Sequence, residues 1–235
     1  MPHRRARPTA VFATLVATIA MVVAGCTGSS NGSGNSGGAN LPAPGPLLAA
    51  ASTSMSDVHS VHFTINVTGS VPTLPISNAE GDLNSAGQAT GSGKLVELGQ
   101  LIEVKFVLTN KTFYLLGPTG GWQHFPASLA GSLFDPAAIL DPNRGVAQTL
   151  KNVTGAQTVG QETVNGVSAY KITGKVSNAV VSGLLPGLGS DVNATVWLAT
   201  DAKHLPVKAD FGLSGGTVEV TVSNYNEAMS VSAPS

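Results

Sequence analysis

Few residues in this chain have the type and spacing that chemistry requires. Gly28-Ser29-Ser30-Asn31-Gly32 and Gly212-Leu213-Ser214-Gly215-Gly216 match the Gly-x-Ser-x-Gly pattern of a serine nucleophile, and Gly32-Ser33-Gly34-Asn35-Ser36-Gly37 matches a phosphate-cradling loop. Both chemistries need a strand before the motif and a helix after it. The matches at 28–32 and 32–37 fall in a low-complexity run, and the match at 212–216 ends a strand at a hairpin. His59 and His62 could be imagined on a metal, but no carboxylate-rich neighbourhood accompanies them, so they read as a solvated or locally bonded pair. His124 and His204 lie near turns and read as surface histidines. The carboxylates are thinly spread, with no close pair to divide acid and base roles. Glu80 and Asp82 share one strand face, which reads as the solvent side. Trp122 and Trp197 read as core or cavity wall. The expectation is no enzyme, no metal and no cofactor.

The single cysteine is the exception. Arg4, Arg5 and Arg7 form a cationic start, Val11 to Ala24 is an uncharged run, and Val23-Ala24-Gly25-Cys26 closes it. The run is too short for a membrane span, which needs about 20 residues, and fits a signal peptide. The closing tetrapeptide resembles a bacterial lipobox, which implies that the cysteine thiol receives a diacylglycerol and that the new amine left by cleavage is acylated. The expected organisation is a signal peptide over 1–25, a lipidated Cys26 with a flexible tether over 26–45, and one folded domain over 46–235. Residues 27–40 contain 12 Gly, Ser or Asn in 14, so this stretch cannot bury enough surface to order itself. As a coil it reaches on the order of 20 Å.

Composition narrows the remaining classes. The chain has 235 residues, 42% hydrophobic, 11% charged and 5% aromatic, with 28 Gly and 14 Pro. An ordinary soluble domain is roughly 25% charged, and a solvating disordered chain carries still more charge. Twelve basic residues against 13 acidic ones give a net charge of −1. Cleavage takes away three arginines and no acid. With no basic stripe, nucleic acid is excluded as a partner. One cysteine excludes a disulfide framework and a cysteine-based zinc site.

The elements follow from periodicity. Pro46 to Val58 reads as a helix with an apolar stripe of Leu47, Leu48, Ala51, Met55 and Val58. The period then becomes two, with Val61, Phe63, Ile65 and Val67 alternating with polar residues, which is a half-buried strand. Further strands read at 79–85, 87–98, 101–109 and 112–116. Short helices at 135–140 and 142–152 turn Ile139, Leu140, Val146 and Leu150 inward. Strands at 155–164 and 167–176 flank an Asn165-Gly166 turn, and Ser177 is the expected cap of a helix over 177–185. Strands at 192–200, 204–213 and 217–226 form a closing meander, the last two joined at Gly215-Gly216. About ten antiparallel strands without βαβ alternation make this α+β. A strongly curved sheet with helices on its concave face accounts for the order. Gly87, Gly91 and Gly93 share one strand face, marking either a bend that leaves room or ordinary edge and bulge positions.

Motifs along the whole domain carry a family resemblance. They are the Val-Ala-Gly-Cys26 box, Gly81-Asp82-Leu83, Ala89-Thr90-Gly91, Leu140-Asp141-Pro142-Asn143-Arg144-Gly145, Lys171-Ile172-Thr173-Gly174-Lys175-Val176, Ala194-Thr195-Val196-Trp197 and Ser223-Asn224-Tyr225-Asn226-Glu227. The chain resembles the mycobacterial LppX/LprAFG lipoprotein family, and within it the LprG/LprA branch. Tyr225 stands where that family often has tryptophan.

The resemblance implies an antiparallel half-barrel, similar to the outer-membrane lipoprotein carrier fold, closed by helices over a hydrophobic cavity. It further implies a monomeric, non-enzymatic lipoprotein of the cell envelope, anchored by its lipid on the outer face of the cytoplasmic membrane. Its ligand would be an acylated glycolipid or triacylglycerol-type lipid. Its partners would be a membrane efflux transporter and, through its acyl chains, the host's Toll-like receptor 2. On this picture Gly91 and Gly93 form a thin wall or mouth. Leu95, Val104, Phe106, Leu108, Leu140, Val146, Val196 and Leu198 line the cavity or are equally ordinary packed core. A structural or adhesive lipoprotein with a solid core is the alternative, and a lipid-processing enzyme would need a nucleophile–base pair that the sequence does not offer. Replacing Cys26 by serine is expected to abolish incorporation of labelled fatty acid into the chain in an acylating host, read by gel autoradiography.

Overall fold

The computed structural model describes residues 41–71, 74–128, 136–182, 184 and 190–235. Cys26 and residues 27–40 of the expected tether lie outside the described residues, and Pro44 and Gly45, expected at the tether's end, already belong to the first helix. All described elements and the apolar core belong to one compact unit, so residues 41–235 carry their own core.

The first described element is α1 (Pro44–Ser56). It starts two residues before Pro46 because Pro44 occupies the first helical position and Pro46 still lies in the first turn, where neither missing N–H has a partner to lose. Strands β1 (Ser60–Gly69), β2 (Ile76–Asn84), β3 (Ala89–Glu97), β4 (Gln100–Leu108), β5 (Thr112–Leu116) and β6 (Trp122–Pro126) follow. Then come the short helices α2 (Pro136–Ile139) and α3 (Val146–Lys151). The C-terminal half consists of β7 (Thr154–Val164), β8 (Val167–Val176), α4 (Asn178–Val181), β9 (Val192–Ala199), β10 (Pro206–Leu213) and β11 (Gly216–Ser223).

The eleven strands form a single open antiparallel sheet in the order β6-β5-β4-β3-β2-β1-β11-β10-β9-β8-β7. Each half is a meander, and β1 pairing with β11 joins them. This is the curved, helix-covered antiparallel sheet expected from the sequence, with one strand more than about ten. The additional strand is β6, whose five residues include His124, Gln123 and Pro126 and show no clean alternation. It forms because β5 offers it an edge, with Phe113 opposite Phe125.

Several local expectations need correction. Gly87 lies in the β2–β3 turn with φ +77°, not on a strand face with Gly91 and Gly93. Ser177 makes no side-chain cap on α4; the Asp191 carboxylate accepts from the Asn178 N–H at 2.8 Å instead. The β10–β11 turn is centred on Ser214-Gly215, since β11 already begins at Gly216. The helix expected over 142–152 begins only at Val146, and Asp141 before it accepts from the Asn143 N–H at 2.8 Å and from Arg144 Nε at 2.9 Å. These bonds hold its carboxyl below the usual range.

Trp197 is buried core, as one of its two expected roles, but in a small cluster of its own and not in the cavity wall. It follows the inward Val196 by one residue, and a period of two turns it to the outer face. There it packs with Ala169, Ala199 and Val207. Its indole Nε1 donates to Glu162 Oε2 at 2.9 Å, and the ammonium groups of Lys171 and Lys208 stand 5.1 and 4.7 Å from its ring centroid. Hydrogen bonds from Lys171 and then Trp197 hold the Glu162 carboxyl low. Burial alone would lower Lys208, but its bond to Glu219 and the charges of Asp210 and Glu219 hold it above its ordinary value.

The helices lie against the inner face. Leu47, Leu48, Ala51 and Met55 of α1 join Ala147 and Leu150 of α3 and the inward side chains of the sheet in one cluster. The fully buried Ser52 hydroxyl donates to the Ala147 carbonyl at 2.8 Å, tying α1 to α3. Replacing Ser52 by alanine is expected to lower stability by about 1 kcal/mol, measured by urea denaturation.

Candidate functional site

The inner face of the sheet is built from cross-strand rows. One runs Ile65–Val220–Ala209–Val196–Ile172 and the next Val67–Val218–Phe211–Ala194–Gly174. Phe63 and Val222 make a third pair. Apart from Phe63 and Phe211 these side chains are branched or small, and the rows do not fill all the space beneath the helices. A cavity of about 150 Å³ remains between sheet and helices. Its roof is Met55 of α1, Ile139 and Leu140 of the α2 region, Val146 and Leu150 of α3, and Val181 and Leu184 around α4. Along β1 the wall extends from Val61 to Val67, a length of about 20 Å at the rise of a strand.

The lining is almost wholly apolar. At one end Tyr225 closes it beside Pro206, its hydroxyl donating to the Pro206 carbonyl. Burial pushes the Tyr225 phenol far above its ordinary value, so it stays neutral. At the other end stand Leu74 and Ile76, from the segment between β1 and β2 and the start of β2. Among the described residues no group of three or more His, Cys, Asp or Glu converges as a metal centre would require. His62 Nδ1 lies 2.9 Å from Asp82 Oδ1, an outer-face pair rather than part of a ligand set. What this arrangement can do is hold hydrocarbon.

Of the residues expected to line the cavity, Leu140, Val146 and Val196 stand in its wall. Gly91, Gly93, Leu95, Val104, Phe106, Leu108 and Leu198 do not. All seven share the inner parity of the sheet, through Gly81–Gly91–Phe106, Ala79–Gly93–Val104 and Pro206–Leu198. Close packing, not the cavity, meets Gly91, Phe106, Leu108 and Leu198. The Phe106 ring lies over Gly91, where an added Cβ would be 2.8 Å from Phe106 Cζ. Gly93 lets β2 and β3 approach closely, since a Cβ there would meet the Asn78 carbonyl at 2.8 Å. Leu108 and Leu198 are packed core, and Phe106 leans against that core. Leu95 pairs with the wall residue Ile76 without reaching the cavity. Gly93 and Val104 border a separate polar concavity of about 670 Å³ with Glu80, Lys94, Glu103 and Lys105. Gly91 and Gly93 are therefore close-packing positions, not a mouth. Sequence reasoning missed Phe63, Ile65, Val67, Ala209, Val220 and Tyr225 as wall residues. The alternation of β1 and β11 carried the signal for the strand positions, and the β1–β11 register places it under the helices.

An open antiparallel half-barrel with an apolar cavity under short helices defines a class of ligand-holding shells. The LppX_LprAFG lipoprotein family model matches residues 43–231, and the chain belongs to this family. It is 35% identical over 237 residues to the "Lipoarabinomannan carrier protein LprG" of Mycobacterium tuberculosis, covering 99% of this chain and 98% of that protein. Among solved structures, LprF from Mycobacterium bovis superposes with a TM-score of 0.73 at 25% identity, over 81% of this chain and 96% of that one. Mycobacterium tuberculosis LppX superposes with a TM-score of 0.61 at 27% identity, over 80% and 98%.

Placing alanine at Gly91 is expected to cost about 1–3 kcal/mol, the range for overpacking, because its Cβ would meet the Glu80 carbonyl and Gly81 Cα of the neighbouring strand and the Phe106 ring, and backbone must shift to admit it. Chemical denaturation monitors the loss.

Proposed function

We propose that this protein is a lipid carrier of the cell envelope, taking the acyl chains of a glycolipid or triacylglycerol-type lipid into the cavity and leaving the polar head in water. One observation carries the reading: the cavity at the centre of the fold is lined almost wholly by aliphatic and aromatic residues, with Thr149, Thr195 and Lys208 the exceptions. Each buried CH₂ is worth about 0.8 kcal/mol, so such a site draws its affinity from hydrocarbon and needs few polar contacts. The carrier name of the LprG relative, similar over nearly the full length, supports an acylated glycolipid as the ligand class. A solid-core structural lipoprotein would have no reason to keep the space empty.

At about 150 Å³ the cavity is smaller than the roughly 300–1,000 Å³ of ordinary ligand pockets. A lipid with two or three chains therefore enters only if the helices part from the sheet. Helices α2, α3 and α4 have four, six and four residues and little stability of their own, so they are the elements that yield. Among the described residues no helix is long and apolar enough to cross a membrane. We assign the membrane hold to acyl chains on Cys26, on the strength of the lipobox.

The test is native mass spectrometry of residues 41–235 purified from an actinobacterial host. Wild type is expected to retain lipid, and Ala209→Phe, which places a ring between Val196 and Val220, to lose it while melting no lower than wild type. A wild-type protein that neither co-purifies with lipid nor binds fluorescent acyl lipid would sink the carrier reading.

A further inference from the structure

Among the described residues five large apolar side chains stand exposed; Val159 and Val167 lie on β7 and β8, and the other three are concentrated at one place. Val96, Leu98 and Leu101 are 43%, 99% and 61% exposed, and all three belong to the tip of the β3–β4 hairpin. Val96 lies directly opposite Leu101 across the hairpin, and Leu98 projects at the turn beyond them. Single exposed apolar residues need no explanation, but a contiguous cluster at a protruding point does.

The turn itself shows that Leu98 is not there for the fold. Leu98 and Gly99 are its central residues, with φ of +51° and +78°. A two-residue turn with both central residues left-handed favours Asn-Gly, and the chain uses Asn165-Gly166, at φ +49° and +83°, for the same purpose between β7 and β8. Leucine at the first position accepts a disfavoured backbone conformation and full exposure to water. Leu98 thus pays twice without packing against anything.

Position supplies the purpose. Following the registers across the sheet puts the β3–β4 tip at the same end as the β1–β2 connection and the β10–β11 turn, and opposite the β9–β10 connection. The Val96 N–H donates to the Pro75 carbonyl at 2.9 Å, and Leu95 pairs with Ile76. Leu74 and Ile76, on either side of Pro75, stand at the end of the cavity wall. The exposed tip therefore adjoins the Leu74–Ile76 end of the cavity.

We infer that the Val96–Leu98–Leu101 tip is a bilayer-docking element that seats the Leu74–Ile76 end of the cavity against a membrane, so that an acyl chain passes between bilayer and cavity without crossing water. The second half of this statement rests on the carrier reading; the docking does not. Size selects a bilayer over a protein as the occupant. A stable protein interface buries about 1,200–2,000 Å², far more than a hairpin tip offers, whereas shallow insertion of about 5–10 Å into the headgroup boundary needs only a few apolar side chains. Charge selects the kind of surface. Lys94 and Glu103 pair with each other at 3.4 Å, leaving Glu97 beside the turn and no basic cluster. Docking is consequently driven by apolar burial, favours neutral lipid headgroups over anionic ones, and is not weakened by salt.

Residues 41–235 contain no cysteine, so one introduced cysteine can carry an environment-sensitive fluorophore. With vesicles of pure phosphatidylcholine, a probe at Gln100→Cys is expected to shift to the blue, and one at Lys203→Cys, at the opposite end, to stay unchanged. Leu98→Asn converts the turn to Asn-Gly. It is expected to leave the melting temperature equal or higher, yet to cut partitioning onto the vesicles at least about tenfold, the order expected for losing one buried leucine. The inference is overturned if Leu98→Asn binds as wild type does. It is equally overturned if binding requires anionic lipid and vanishes between 50 mM and 500 mM salt, or if the tip probe responds only to membranes that contain protein. Loading of fluorescent acyl lipid from detergent micelles, measured in parallel, reads the cavity independently. Docking with no loading defeats the carrier reading and keeps the docking element, and loading with no docking does the reverse.

Discussion

The pairing of β1 with β11 brings Ser60–Gly69 against Gly216–Ser223, segments about as far apart in the chain as the fold allows. Eight residue pairs run without a break from His62–Ser223 to Gly69–Gly216, and the hydroxyls of Thr64 and Thr221 bond across the outer side. Loop-closure entropy grows only logarithmically with length, so this long-range seam costs little more than a shorter one would. Every row that walls the cavity crosses it. Without it the chain would be two meanders, each with an apolar face and a long unpaired edge; with it, one curved sheet has a single inner face that three short helices and α1 can cover.

That inner face is divided by what its residues can fill. Across β2, β3 and β4 the small residues Ala79, Gly81, Gly91 and Gly93 are compensated by a large neighbour, Phe106, and the space closes. Across β1, β11, β10 and β9 the residues are mostly valine, alanine and isoleucine, and the rings of Phe63 and Phe211 line the remaining space without closing it. At about 24 cal/mol per Å³, an unfilled cavity of this size costs on the order of 3–4 kcal/mol. A ligand that fills the space recovers this energy, which couples holding lipid to the stability of the closed shell. The polar groups are arranged oppositely. Lys171, Lys208, Glu162 and Glu219 gather around Trp197 on the outer face, where their charges remain partly solvated.

The local structure was largely legible. Alternation in Val61–Val67 and Val218–Val222 marked β1 and β11, and Asn165-Gly166 gave the β7–β8 hairpin with β8 at 167–176 as read. Leu140 and Val146 face inward as their spacing required. Less visible were features that depend on a distant partner. β6 exists because β5 has an edge to offer; α4 is capped by Asp191 rather than its own Ser177; Tyr225 meets Pro206 only after the meander has folded back.

The parity of a strand is a local property, because successive side chains point to opposite faces whatever the strand packs against. The sequence therefore determined that Gly91 and Gly93, that Val104, Phe106 and Leu108, and that Val196 and Leu198 each share one face of their strand, and that the molecule is an α+β antiparallel sheet with an aliphatic interior; the registers made that face the inner one. Whether an inward residue meets empty space or another side chain depends on which elements lie opposite it, and on whether a ring such as that of Phe106 reaches across a glycine. Only the tertiary structure decided that: it opened the cavity between β1, β8–β11 and the helices, and filled the space over β3 and β4.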